Sequence, residues 1–264
     1  MDEKSNVQRS VEALNIMDDS LFQKMAEDLG FCEELISTIL MQKVIVVCVT
    51  PQSSVKNLQG RSVVLDAFCI LENGARCNVE VQKANDDNHE KRVRYNTSCI
   101  TANITEPGTR FENVPDVIGI FISQFDMFQE GKTVYHIDRT IRETGKISDN
   151  GLWEIYVNTK IDDGTDIAKL MHIFKEQNMY DFAKFPKISK RKKYFLEEEG
   201  GKQEMCDIVE NYAKEYAREK EKETTRKLFE NGATFELVRA AIDSLSSEEL
   251  KTIYDEVQKQ ENSI

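Results

Sequence analysis

Asp66 in SVVLDAFCIL and Glu80 in NVEVQ stand on either side of the turn Glu72-Asn73-Gly74. Each acid lies inside a run of apolar, β-type residues, and the turn between the runs is a hairpin signal. Carboxylates are depleted from strands and costly to bury, so two on neighbouring strands call for a chemical reason. Register decides whether they meet. A two-residue Asn73-Gly74 loop pairs Glu72 with Ala75, sets Asp66 opposite Val81 and turns Glu80 to the other face. A three-residue loop ends on Gly74, which takes a left-handed conformation without steric cost; Leu71 then faces Ala75, and Asp66 faces Glu80. In that register their Cβ atoms are about 4.5–5.5 Å apart and the charges repel. A divalent cation between them turns repulsion into binding. Gln82 shares Glu80's face by strand alternation, and an Asp, Glu and Gln surface suits Mg²⁺, or Mn²⁺, with several waters retained. The plainer alternative is an Asp ending a strand and a Glu facing solvent.

A basic stretch follows the acids. Lys83, Lys91, Arg92 and Arg94 come soon after Glu80, and Tyr95 shares a helical face with Arg92. They are the candidate DNA-binding residues, with phosphate as the chemistry they fit. The net charge of −12 excludes an exposed, nonspecific basic coat. It leaves room for a local positive field beside an acidic, metal-neutralised centre. The six cysteines show no CxxC or Cys/His spacing and read as reduced core residues. The three histidines form no HxxxH pair; His89 lies close to the acids, and a surface position is the expectation for it. No apolar run reaches membrane-spanning length, and the polar segment MDEKSNVQRS is no secretory signal, so a cytoplasmic protein without a membrane partner is expected.

The elements that must hold these residues alternate in type. Residues 1–40 read as helical, Val44–Val49 as a short strand ended by Pro51, and 51–60 as loop. The hairpin comes next, then a helix over 86–103, then strands at VIGIFIS, TVYHIDRTI and LWEIYVNT. QFDMFQEG reads as a loop with two exposed aromatics, in which Asp126 stabilises the turn. From Thr165 the pattern is helical, Asn231-Gly232 ends a long helix, and Ser246 with Glu249 forms a capping box. Lys190-Arg191-Lys192-Lys193 is a basic cluster that either contacts DNA backbone or covers a solvated surface. The expected class is α/β, a mixed β-sheet flanked by helices with a C-terminal helical extension, divided as 1–164 and 165–264.

MDDSLFQKMAED, SVVLDAFCILENGARCNVEVQ, KRVRYNTS and the run from DVIGIFISQFDMF to LWEIYVNTK resemble, in order, the PD-(D/E)XK nuclease family transposases, the recombination-promoting nuclease group. The resemblance covers about residues 15–160. It implies a restriction-endonuclease-like core and a metal-dependent DNA endonuclease. Asp66 and Glu80 match the metal-binding acids, the Val81 carbonyl an additional ligand, and Gln82 the place of the superfamily's lysine. Glu34 matches its first-helix acid. Two departures stand out: Val64 replaces the common arginine two before the Asp, and Asn96 replaces a second tyrosine. The resemblance therefore implies an enzyme that hydrolyses DNA phosphodiesters; a homodimer would suit a cut on both strands. The competing class is a DNA-binding or recombination accessory protein that keeps the nuclease fold.

Overall fold

The computed structural model describes residues 3–56 and 61–261; the rest of the expected 51–60 loop, residues 57–60, lies outside the described residues. Its centre is a six-stranded mixed sheet in the order β1-β2-β3-β4-β8-β5. The strands are β1 (Val46–Val55), β2 (Val63–Leu71), β3 (Arg76–Gln82), β4 (Val117–Ser123), β5 (Val134–Ile137) and β8 (Leu152–Asn158). A separate two-stranded ribbon pairs β6 (Thr140–Ile141) with β7 (Lys146–Ile147). β1, β2 and β3 are antiparallel neighbours, β3, β4 and β8 run parallel, and β5 closes the far edge antiparallel to β8. The mixed α/β class and its flanking helices match the sequence expectation.

β4 is buried along its whole length, as the middle of a sheet covered on both faces must be. One cover is α4 (His89–Ile104), which makes the crossover between β3 and β4. It lies so close that a Cβ on Gly119 of β4 would come within 2.9 Å of the Thr97 methyl. The other cover is built from α2 (Asp19–Ala26), α3 (Leu29–Ile39), α5 (Asp166–Lys175) and α6 (Pro186–Glu197). Phe22, Phe31 and Phe174 cluster at its centre, with Phe31 and Phe174 stacked at 6.2 Å and Phe22 edge-on to Phe31. The chain forms two compact units, Met1–Met205 and Cys206–Ile264, so α5 and α6 belong to the body that carries the sheet.

Four local expectations change. TVYHIDRTI is not one strand: it breaks after Ile137 into β5 of the main sheet and β6 of the ribbon. β1 does not stop at Pro51 but continues to Val55, with Pro51 opposite Ala67. β1 is an edge strand, where a missing N–H costs no ladder bond. Phe125 and Phe128 are not exposed: they pack on Val93, Phe121 and Tyr156. The basic cluster on α6 is partly structural. Lys192 is fully buried and donates to the carbonyls of Ile173, Glu176 and Met179, capping the end of α5. Arg191 donates to the carbonyls of Lys24 and Met25 at the end of α2.

α7 (Glu199–Glu230) begins before the second unit and ends within it, just ahead of Gly232 at φ +82°, and α8 (Phe235–Ala241) and α9 (Ser247–Glu261) follow. Phe229, Val238, Ile242, Leu245, Leu250, Ile253 and Val257 make that unit's core. Ser246 and Glu249 form the expected capping box, each side chain bonded to the other's backbone N–H.

Burial pushes the Lys192 amine down to about 8, yet three carbonyl acceptors use all three protons of the ammonium form, so it stays charged at neutral pH. Lys192→Met orphans those carbonyls and is expected to cost about 2–3 kcal/mol in urea unfolding. An unchanged midpoint would refute the capping role.

Candidate active site

The hairpin adopts the three-residue register. Leu71 N–H donates to the Ala75 carbonyl at 3.0 Å, Gly74 N–H to Leu71, and Gly74 sits at φ +87°. Ile70 faces Arg76, Cys69 faces Cys77, and Ala67 faces Val79, so the count places Asp66 opposite Glu80. The ladder between β2 and β3 stops there. Leu65 and Phe68, three residues apart, both pack in the cluster beneath α4, so side-chain alternation slips by one around Asp66. Gln52, opposite Asp66 on β1, has φ +50°. In place of the next ladder bond, the Val81 N–H donates to Asp66 Oδ2 at 3.1 Å. A strand residue sends its N–H and C=O to the same side, so the Val81 carbonyl also turns toward the departing β2.

Glu80 is 2 % exposed. Its Oε1 accepts from the Asn78 amide at 2.9 Å and from the Asn96 amide. Its Oε2 accepts no hydrogen bond and faces Nε of Arg92 at 3.4 Å. Arg92 also donates through Nη1 to Gln82 Oε1 at 3.1 Å, and Gln82 Nε2 donates to the Ala84 carbonyl. β3 thus presents Asn78, Glu80 and Gln82 on the face that α4 covers, with Cys77 turned toward Cys32 of α3 on the opposite face.

Asp66 has its carboxyl pushed up to about 7, first by burial and then by the Glu80 charge; the Val81 N–H opposes the shift. Asp19, at the start of α2, is raised as well, chiefly by burial and then by Asp18, with Lys83 and Arg92 pulling it down. Among the described residues, no group of three or more His, Cys, Asp or Glu side chains forms a metal cage. A cation here would rest on two carboxylates, backbone oxygen and water, the hard donor set that Mg²⁺ takes. The buried Glu80 Oε2 without a hydrogen bond and the repelled Asp66 both fit such a cation.

A cleft of about 750 Å³ opens beside this centre, between Arg61–Val64 and the first turns of α4. Of the expected DNA-binding residues, Lys91, Arg92 and Tyr95 line it, together with Asn88 and Asn96. Lys83 instead pairs with Asp18 at 2.5 Å, and Arg94 lies toward Glu154 of β8. Tyr95 donates its hydroxyl to the Arg61 carbonyl. His89 is not on the surface: it is 2 % exposed between Phe121 and Phe125, at 5.2 and 5.3 Å, and burial holds its ring below the usual pKa. Glu34 accepts from the backbone N–H of Lys187 and Ile188, so it caps α6. The helix acid electrostatically coupled to Asp66 is Asp19.

Asn78 and Asp19 are residues sequence reasoning missed, and Asn96 stood out only as a departure from the family's tyrosine. Two signals were present. Asn78 is two residues before Glu80 on the same strand face, and Asn96 is one helical turn beyond Arg92. Asn96 occupies the position of a usual tyrosine, and here it binds the central glutamate.

A family model described as PD-(D/E)XK nuclease family transposase matches residues 30–161. No curated protein and no solved structure matches the chain.

The cost of burying Asp66, added to by the Glu80 charge, has a sign that can be measured in EDTA. An unfolded Asp loses its proton near pH 3.9, whereas folded Asp66 keeps its proton up to about 7. Folding is therefore penalised increasingly from pH 4 upward, and the penalty is complete above pH 7. Asp66→Asn removes it. Its melting temperature should exceed that of wild type at pH 8, by about 2–4 °C for each kcal/mol relieved, and the difference should close toward pH 4. A variant less stable than wild type at pH 8 contradicts the like-charge geometry.

Proposed function

Because the chain belongs to the PD-(D/E)XK nuclease family transposases, we propose that it is a metal-dependent endonuclease that hydrolyses DNA phosphodiester bonds, with a role in recombination or mobile elements. The observation that carries this reading is the approach of two carboxylates, Asp66 and Glu80, at the point where β2 leaves β3. Asp66, Glu80 and the Val81 carbonyl would hold Mg²⁺ or Mn²⁺. Such a cation, when bound, acidifies a water and offsets charge on the phosphoryl and leaving oxygens.

The chain's own residues divide the remaining work. Asn78 and Asn96 hold Glu80 Oε1, which leaves Oε2 as the oxygen presented to a cation. Val81 N–H orients the Asp66 carboxylate through Oδ2. Gln82 brings no charge and moves no proton; its amide aligns water or phosphate by hydrogen bonding alone. Lys91, Arg92 and Tyr95, which line the cleft, offer it to the DNA backbone, with Lys83 and Arg94 outside its lining as further contacts. In hydrolysis, water adds to phosphorus, the P–O bond to the leaving oxygen breaks, the water proton passes to solvent, and the leaving oxygen takes a proton from solvent to depart as a hydroxyl. We place this chemistry in residues 1–164 of a cytoplasmic protein; of the helical segment 165–264, α5 and α6 pack with the body that carries the sheet, and the helices beyond it form the extension. A homodimer would suit cleavage of both strands.

One observation favours the accessory reading instead: Glu80 already has its charge matched by Arg92 and its other oxygen held by two amides. Cleavage of supercoiled plasmid separates the two. Wild-type protein with Mg²⁺ or Mn²⁺ should give nicked or linear DNA, EDTA should stop it, and Asp66→Asn or Glu80→Gln should reduce it to background. Tight DNA binding without cleavage under either metal would establish the accessory role.

A further inference from the structure

The site already contains a cation of its own. Arg92 projects from α4 with Nε 3.4 Å from Glu80 Oε2 and Nη1 3.1 Å from Gln82 Oε1. Glu80 Oε1 is taken by the Asn78 and Asn96 amides, so Oε2 is the oxygen open to a positive charge, and Arg92 faces it. A guanidinium does not lose its proton in a protein. Its charge can leave Glu80 only if the side chain moves. Two cations at one carboxylate oxygen repel, and strongly where water is scarce; Glu80 is 2 % exposed.

The surroundings permit that movement. Arg92 is 37 % exposed, and the cleft of about 750 Å³ that it lines also holds Arg61 and Lys91. Different guanidinium atoms meet the two partners, so Nη1 can stay on Gln82 while Nε releases Glu80. Gln82 itself brings no charge to the reaction.

We propose that Arg92 is a tethered competitor for the divalent cation: it neutralises Glu80 in the metal-free protein, yields Oε2 when a cation enters, and then serves as the positive contact for substrate phosphate in the adjoining cleft. This rests on the functional reading given above. The metal-free site is thereby spared an uncompensated buried carboxylate, which would otherwise be strongly destabilising. Arg92 acts as a positioning residue at Glu80 and as the charge that Gln82 does not supply.

The test is Mn²⁺ affinity at pH 8, measured on the full chain by calorimetry and by the electron paramagnetic resonance of free Mn²⁺. Arg92→Met should bind Mn²⁺ more tightly than wild type, by about tenfold for 1.4 kcal/mol of relieved competition, while cleaving plasmid more slowly at saturating Mn²⁺. Arg92→Lys keeps the charge without the fork that reaches both partners, and should fall between them in both measurements. Circular dichroism reports whether each variant is folded. If Glu80-dependent Mn²⁺ binding is as weak or weaker in Arg92→Met and Arg92→Lys, the competition is refuted and the nuclease reading survives. If neither wild type nor Arg92→Met binds Mn²⁺, or Glu80→Gln binds it as well as wild type, the nuclease reading and this proposal fall together.

Discussion

Two like charges are held together where a β-ladder ends, and most of the neighbouring chemistry answers to them. Asp66 and Glu80 are opposite by register, and burial with mutual repulsion lifts the Asp66 carboxyl to about 7. An ordinary antiparallel pair would bring backbone to backbone at this point. Here the Asp66 side chain takes the Val81 N–H, and β2 goes on with β1 alone through Val63. The opening this creates carries the cleft on one side and turns the Val81 backbone toward the acids on the other.

Holding that arrangement requires rigid support from both faces. On one, the Phe22, Phe31 and Phe174 cluster fixes α2 and α3, and with them the acid Asp19. On the other, Gly119 lets α4 lie close enough for Asn96 and Arg92 to reach Glu80. A larger residue at 119 would push away the helix that supplies two of Glu80's partners. The same constraint links packing to chemistry, because the contacts that fill the core also set the charge pattern of the site.

Local patterns in the sequence carried much of this. Gly74, found at φ +87°, marked the hairpin but left two registers open, while the period of two puts Asn78, Glu80 and Gln82 on one face in either. The apolar runs that became β4 and β8 announce strands by their composition. Residues whose partners lie far along the chain were not legible. Glu34 meets α6 more than 150 residues away, and Lys192 meets three carbonyls on a segment folded back beneath it. A charged residue in a charged run looks solvated until tertiary packing supplies acceptors. Pro51 misled in the opposite sense, because only the strand order shows that it lies on an edge.

The central claim is that Asp66, Glu80 and the Val81 carbonyl form one cation site. The most direct measurement is anomalous diffraction from crystals of the protein soaked in Mn²⁺. A peak about 2.0–2.3 Å from an oxygen of each of these residues, with the Arg92 guanidinium moved off Glu80, is the predicted result. A peak at some other set of oxygens, or none here while Arg92 stays on Glu80, would contradict the account.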